Sequence, residues 1–126
     1  MAELTGPWLG SYWQKNTPTR FEATFVQASN SLSGRIVDDS SLGEAQVEGT
    51  VTGRQVTFTK RYFNNPNYTI HYTGTVSEDG NHINGQWRQS AQNTGAWEAH
   101  RSDNDLSKEL NAILTKSIST LVGAKT

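Results

Sequence analysis

From Trp8 to Arg101 the chain alternates apolar and polar residues with period two, in eight runs separated by short clusters of turn residues. That period sends successive side chains to opposite faces of a strand, so each run has one face to bury and one to wet. The runs begin with Trp8–Gln14, Arg20–Gln27, Leu32–Ile36 and Ala45–Val51, and continue with Val56–Tyr62, Tyr68–Val76, Ile83–Trp87 and Trp97–Arg101. Eight half-buried strands in hairpin succession predict an all-β fold, an eight-stranded antiparallel up-and-down β-barrel. A sandwich of two sheets satisfies the same alternation. Glycines on the inward parity, at Gly10, Gly34, Gly49, Gly74 and Gly85, favour closure, because strongly coiled strands need positions without a side chain. An eight-stranded barrel holds its own side chains or one small ligand.

Composition narrows the function classes. The 126 residues form one domain's worth of chain, 33% apolar and 18% charged, rich in the small polar residues of sheets and turns. A net charge of −1 offers no basic excess for phosphate neutralisation, so nucleic acid is not an expected partner. Cysteine is absent, which excludes disulfides, thiolate catalysis and Cys-ligated metals. No apolar run reaches membrane-spanning length and the N-terminus lacks a signal-peptide pattern, so the expectation is a soluble, cytoplasmic chain without a membrane partner.

Residues 102–126 follow a different rhythm. Leu106, Leu110, Ile113, Leu114, Ile118 and Leu121 recur at helical spacing, with Asp103 or Asp105 placed to cap the start and Gly123 to end it. The expected organisation is therefore a barrel over 1–101 and a C-terminal amphipathic helix over 102–126, packed on the barrel or on a partner subunit. Leu9, Trp13, Val26 and Phe63 are apolar on the outward parity and require a cover, which makes a homo-oligomer one expected partnership.

In an up-and-down barrel, alternate connections lie at opposite ends. Segments 29–31 and 52–54 have three residues and 77–81 carries the tight-turn pair Asp79-Gly80, whereas Lys15–Thr19, Asp39–Gly43, Phe63–Asn67 and Ser90–Thr94 have five each and predict a mouth. Inward positions at that end include Tyr12, Gln14, Asp38, Lys60, Tyr62, Tyr68, Trp87, Gln89 and Trp97, with Tyr72 deeper. Tyr12, Asp38, Lys60, Tyr62, Tyr72, Trp87 and Trp97 are the candidate ligand-binding residues, lining a partly polar, aromatic cup; the alternative is mouth residues that simply meet water. At the base, Trp8 opens strand one and Arg101 closes strand eight, so the guanidinium is placed to lie across the indole as a cap.

Gly6-Pro7-Trp8 with Arg101 on the last strand resembles the structural signature of the calycin barrels, which include lipocalins, fatty-acid-binding proteins and avidins. Ile83-Asn84-Gly85-Gln86-Trp87 followed by Gly95-Ala96-Trp97 is similar to the last two strands of avidin and streptavidin, and Leu4-Thr5-Gly6-Pro7-Trp8 to their opening. The resemblance implies that Trp87 and Trp97 wall a ligand site, with Tyr72 in place of a further tryptophan. Gly10 stands where the avidin strand-one asparagine donates to biotin, so the architecture is expected without the biotin chemistry.

Catalytic constellations are sparse. His71, His82 and His100 fall on the outward parity without a metal-ligand spacing, and neither a nucleophile elbow nor a phosphate-cradling glycine loop occurs. Asp38 and Lys60 are the one inward acid–base pair, more naturally an ion pair than a shifted base. The expectation is a non-enzymatic binding protein with no catalytic residue, metal or cofactor, whose partner is a small, partly aromatic or amphiphilic molecule. The alternative is an inhibitor-like interaction or oligomerisation module working through the C-terminal helix and outer wall, and behind it a small-barrel enzyme.

Overall fold

A computed structural model of the chain describes residues 2–102. Eight strands follow one another: β1 (Gly6–Gln14), β2 (Thr17–Ala28), β3 (Ser31–Asp38), β4 (Glu44–Thr52), β5 (Gln55–Tyr62), β6 (Asn65–Val76), β7 (His82–Arg88) and β8 (Thr94–Arg101). Each pairs antiparallel with its neighbours in sequence, and β1 also pairs β8, from Trp8 opposite Arg101 to Tyr12 opposite Trp97. The sheet is thus a closed barrel rather than a sandwich. All but the first residue of the helix expected over 102–126 lies outside the described residues.

Closure depends on close approaches that the sequence permits locally. Gly10 is opposite both Phe21 and Ala99, and a Cβ there would stand 2.4 Å from Phe21 Cζ and 2.3 Å from the Glu98 carbonyl oxygen. The glycine lets β8 and the Phe21 ring crowd the same stretch of β1, which a side chain would prevent.

Two of the four connections expected to be long are tight turns. Gln14 pairs with Thr17, leaving only Lys15 and Asn16 to turn, with φ of 48° and 72°. Positive φ at both centres suits the twist of the flanking strands. Tyr62 pairs with Asn65 beside a register shift at Arg61/Tyr62, so Phe63 and Asn64 turn there. Pro18 and Pro66, of a residue type common in loops, lie inside β2 and β6. On its β3 side β2 pairs only from Phe21 onward, and on its β7 side β6 pairs only from His71 onward. Both prolines therefore occupy stretches with a free edge, where a missing N–H breaks no ladder. Only Asp39–Gly43 and the segment around Ser90 remain true loops at this end.

Aromatic rings fill the axis. Trp8 and Phe25 lie 6.4 Å apart, Phe25 and Phe58 5.8 Å, and Phe58 stacks on Tyr72 at 4.8 Å and 9°. Trp97 sets its edge against both Phe58 and Tyr72, at 5.6 and 5.4 Å. At the base, Trp8 is fully buried and its indole N–H donates to the Leu4 carbonyl at 2.9 Å. The Arg101 guanidinium lies 4.7 Å from the Trp8 ring centroid and donates to the carbonyls of Gly80, Thr5 and Glu3. One side chain thereby ties β8 to the β7 approach and to the N-terminal segment. Replacing it by lysine keeps the charge but loses the planar fork, so Arg101→Lys is expected to cost about 1–3 kcal/mol in urea unfolding.

Candidate functional site

Four strands deliver a polar cluster to the mouth half of the interior. Asp38 ends β3, Lys60 and Tyr62 alternate inward on β5, Tyr12 faces inward on β1 and Tyr72 on β6. Asp38 and Lys60 are separated by β4, whose inward residues here are Ala45, opposite Tyr62, and Val47, opposite Lys60. Those small side chains leave room for the lysine stem to reach across to β3. Lys60 Nζ donates to both carboxylate oxygens of Asp38, at 2.7 and 2.9 Å, and to the Tyr72 hydroxyl at 3.4 Å. The hydroxyls of Tyr12 and Tyr62 donate to Asp38 Oδ2 at 2.9 and 2.5 Å. Tyrosine rings enclose the ammonium, whose Nζ lies 4.7 Å from the Tyr12 centroid, 4.8 Å from Tyr62 and 5.6 Å from Tyr72.

The cluster is shielded from solvent and each of its buried polar side-chain atoms has a hydrogen-bond partner. The side chains of Lys60 and Asp38 are both 0% exposed. Three ammonium protons have three acceptors, and no buried side-chain polar atom among the described residues lacks a partner. Burial pushes the lysine toward its neutral form, while the Asp38 charge and hydrogen bonds pull it back toward the ammonium. The hydroxyls of Tyr12, Tyr62 and Tyr72 are all held above the ordinary tyrosine range, first by burial and then by the nearby carboxylate.

The two indoles complete the interior without joining the ion pair. Trp87 meets the Tyr12 ring edge-on at 6.2 Å and donates its N–H to the Trp13 carbonyl at 3.0 Å; Trp97 donates to the Thr73 carbonyl at 2.9 Å. Gly95 makes the first bond possible, since a Cβ there would stand 2.2 Å from the Trp13 oxygen and 2.5 Å from Trp87 Nε1. Among Tyr12, Asp38, Lys60, Tyr62, Tyr72, Trp87 and Trp97 the most exposed is Tyr12, at 7%. The cup is therefore filled by its own side chains. Above it, Tyr68 is half-buried with its ring 5.8 Å from Tyr62, whereas Gln14 and Gln89 are exposed.

A concavity of about 720 Å³ lies on the outer wall across β8, β1, β2 and β3. Its lining includes the cross-strand row His100, Leu9, Glu22, Val37 and, one step toward the mouth, Glu98 and Arg20. Reading outward residues as solvent-facing misses it; Leu9 in that parity was the available signal. Among the described residues no three His, Asp or Glu side chains gather to hold a metal ion.

No protein-family model and no curated protein sequence matches the chain. Among solved structures it is similar to a de novo designed fluorescence-activating β-barrel, with a TM-score of 0.56 and 13% identity over 78% of this chain and 93% of that one. At that identity the likeness shows the eight-stranded barrel fold alone.

Denaturant unfolding, with an exposed ion pair as the control, and pH titration test the cluster. Lys60→Met leaves a carboxylate buried without its counter-charge and is expected to cost about 3–5 kcal/mol. Arg35→Ala, which removes an exposed ion pair with Glu44, should cost at most about 1 kcal/mol in the same denaturant assay. The raised tyrosine hydroxyls add stability in full below the ordinary tyrosine pKa near 10, lost as pH rises above it because the unfolded chain then ionises first. Absorbance at 295 nm should show Tyr12, Tyr62 and Tyr72 ionising together with the loss of near-ultraviolet circular dichroism, and not before it.

Proposed function

We propose that the barrel is a non-enzymatic binding protein for a small, partly aromatic or amphiphilic ligand, received at the mouth end. The observation that carries the reading is the placement of a desolvated Lys60–Asp38 pair and three tyrosine hydroxyls in that half of the interior. Apolar side chains of similar volume often fill a core at equal or better stability, which supports reading the ion pair as a recognition feature. Asp38 Oδ2 accepts from Tyr12 and Tyr62 together, and a ligand donor takes the place of one hydroxyl when a tyrosine ring swings aside. Displacing the Tyr12 ring leaves a slot against Trp87 and Phe21 for a flat apolar body. Opening such a filled mouth weakens the apparent affinity by the fraction of molecules open.

The designed barrel of similar fold is fluorescence-activating, which supports a ligand-holding use of this architecture. The calycin-like ends, Gly6-Pro7-Trp8 and Arg101, support it as well. Lys60 and Asp38 satisfy each other and present no free base or nucleophile, which favours binding over catalysis.

Titrating the protein with a panel of flat amphiphilic dyes, read by tryptophan quenching and by native mass spectrometry, tests the proposal. Saturable binding of at least one dye is expected, with affinity shifted about tenfold or more by Tyr12→Phe or Trp87→Phe in variants that keep the parent circular dichroism. Absence of saturable binding, or affinities unmoved by both substitutions, contradicts it.

A further inference from the structure

The outer-wall groove over β8, β1, β2 and β3 meets the binding reading only at Asp38 and Phe21, whose side chains are buried in the interior. We propose that its occupant is the C-terminal segment of the same chain, residues 103–126. The route is short. Arg101 is pinned at the base by the Trp8 ring and three carbonyls, so the chain leaves β8 at the rim beside β1. His100, the residue before it, pairs with Leu9, and both line the groove. The segment therefore starts at the edge of the concavity with no linker to cross, and tethering at such range gives an effective concentration in the millimolar range.

Length, pattern and charge agree with that route. As a helix, residues 103–126 would span about 36 Å at 1.5 Å per residue, enough to run the height of the wall. Leu106, Leu110, Ile113, Leu114, Ile118 and Leu121 supply one apolar stripe. The wall offers Leu9, half-buried Trp13 and Val37, the last 48% exposed. Glu22, Asp39 and Glu98 outnumber Arg20 along the groove, and from Leu110 onward the segment carries Lys116 and Lys125 with no Asp or Glu. A basic far half against an acidic wall favours one direction of docking.

The absence of cysteine makes the test clean. Ser11→Cys, central in the groove, is combined in turn with Leu110→Cys, Ile113→Cys and Leu114→Cys in the full-length chain. Thr57→Cys on the outer face of β5 serves as the control wall. Under mild oxidation at micromolar protein, at least one groove pair should form an intramolecular disulfide in most molecules, with the control wall at least tenfold lower. Equal yields at both walls, or disulfides that link two chains and fall away on tenfold dilution, overturn the proposal; the latter names a second copy as the occupant. If Ser11→Cys disturbs the barrel, exposed Arg20→Cys replaces it and is read the same way. The disulfide yields are read without any ligand, so failure of this proposal is distinguishable from failure of the binding reading.

Discussion

A lysine and an aspartate taken wholly out of water decide how the mouth half of this barrel is built. Each charge is tolerable inside only because the other is within 3 Å and because tyrosine hydroxyls take up the remaining hydrogen-bonding capacity. The requirement reaches into the surrounding strands. β4 carries Ala45 and Val47 where the lysine stem must cross. Tyr12 is held over Phe21, at 6.4 Å and 25° between rings, so that its hydroxyl meets Asp38. Gly10 in turn makes room for Phe21. Substitutions at Ala45, Val47 or Tyr12 act directly on how well the pair is covered, and one at Gly10 acts on it through Phe21 and the β1–β8 seam.

The base solves a different problem with similar means. There the cation is Arg101, only half-buried, spread over the Trp8 indole and satisfied by backbone carbonyls instead of a carboxylate. It needs no desolvated anion, so its cost of burial is small and its benefit is geometric: it closes the seam where the last strand meets the first. The two ends thus differ in kind, with a clasp on backbone carbonyls at the base and a desolvated, self-paired polar cluster at the mouth.

Much of the barrel was readable because its strands are half-buried, and a half-buried strand writes its inward face into alternate positions. Asp38 and Lys60 stood out for the same reason, as ionisable residues on the inward parity. Their distance was not readable, since it depends on β4 lying between them and on its residues being small. Whether the cup was empty or filled was not readable either; that turns on the rotamers of Tyr12, Tyr62 and Tyr72, set by contacts between residues far apart in sequence. The tight turns at 15–16 and 63–64 were not readable, because only the uneven strand lengths reveal the free edges that let Pro18 and Pro66 lie inside strands. The outer groove escaped because parity says which way a side chain points and not whether the wall beneath it is concave.

The most direct test of the central claim compares Lys60→Met with the double variant Lys60→Met/Asp38→Asn by urea unfolding. If the destabilisation of Lys60→Met comes from the orphaned buried charge, removing that charge while keeping an acceptor for the tyrosines should restore about 1 kcal/mol or more. The account therefore predicts a double variant more stable than the single one. A double variant less stable than Lys60→Met, with the two losses simply adding, would mean that the pair is not what organises the mouth.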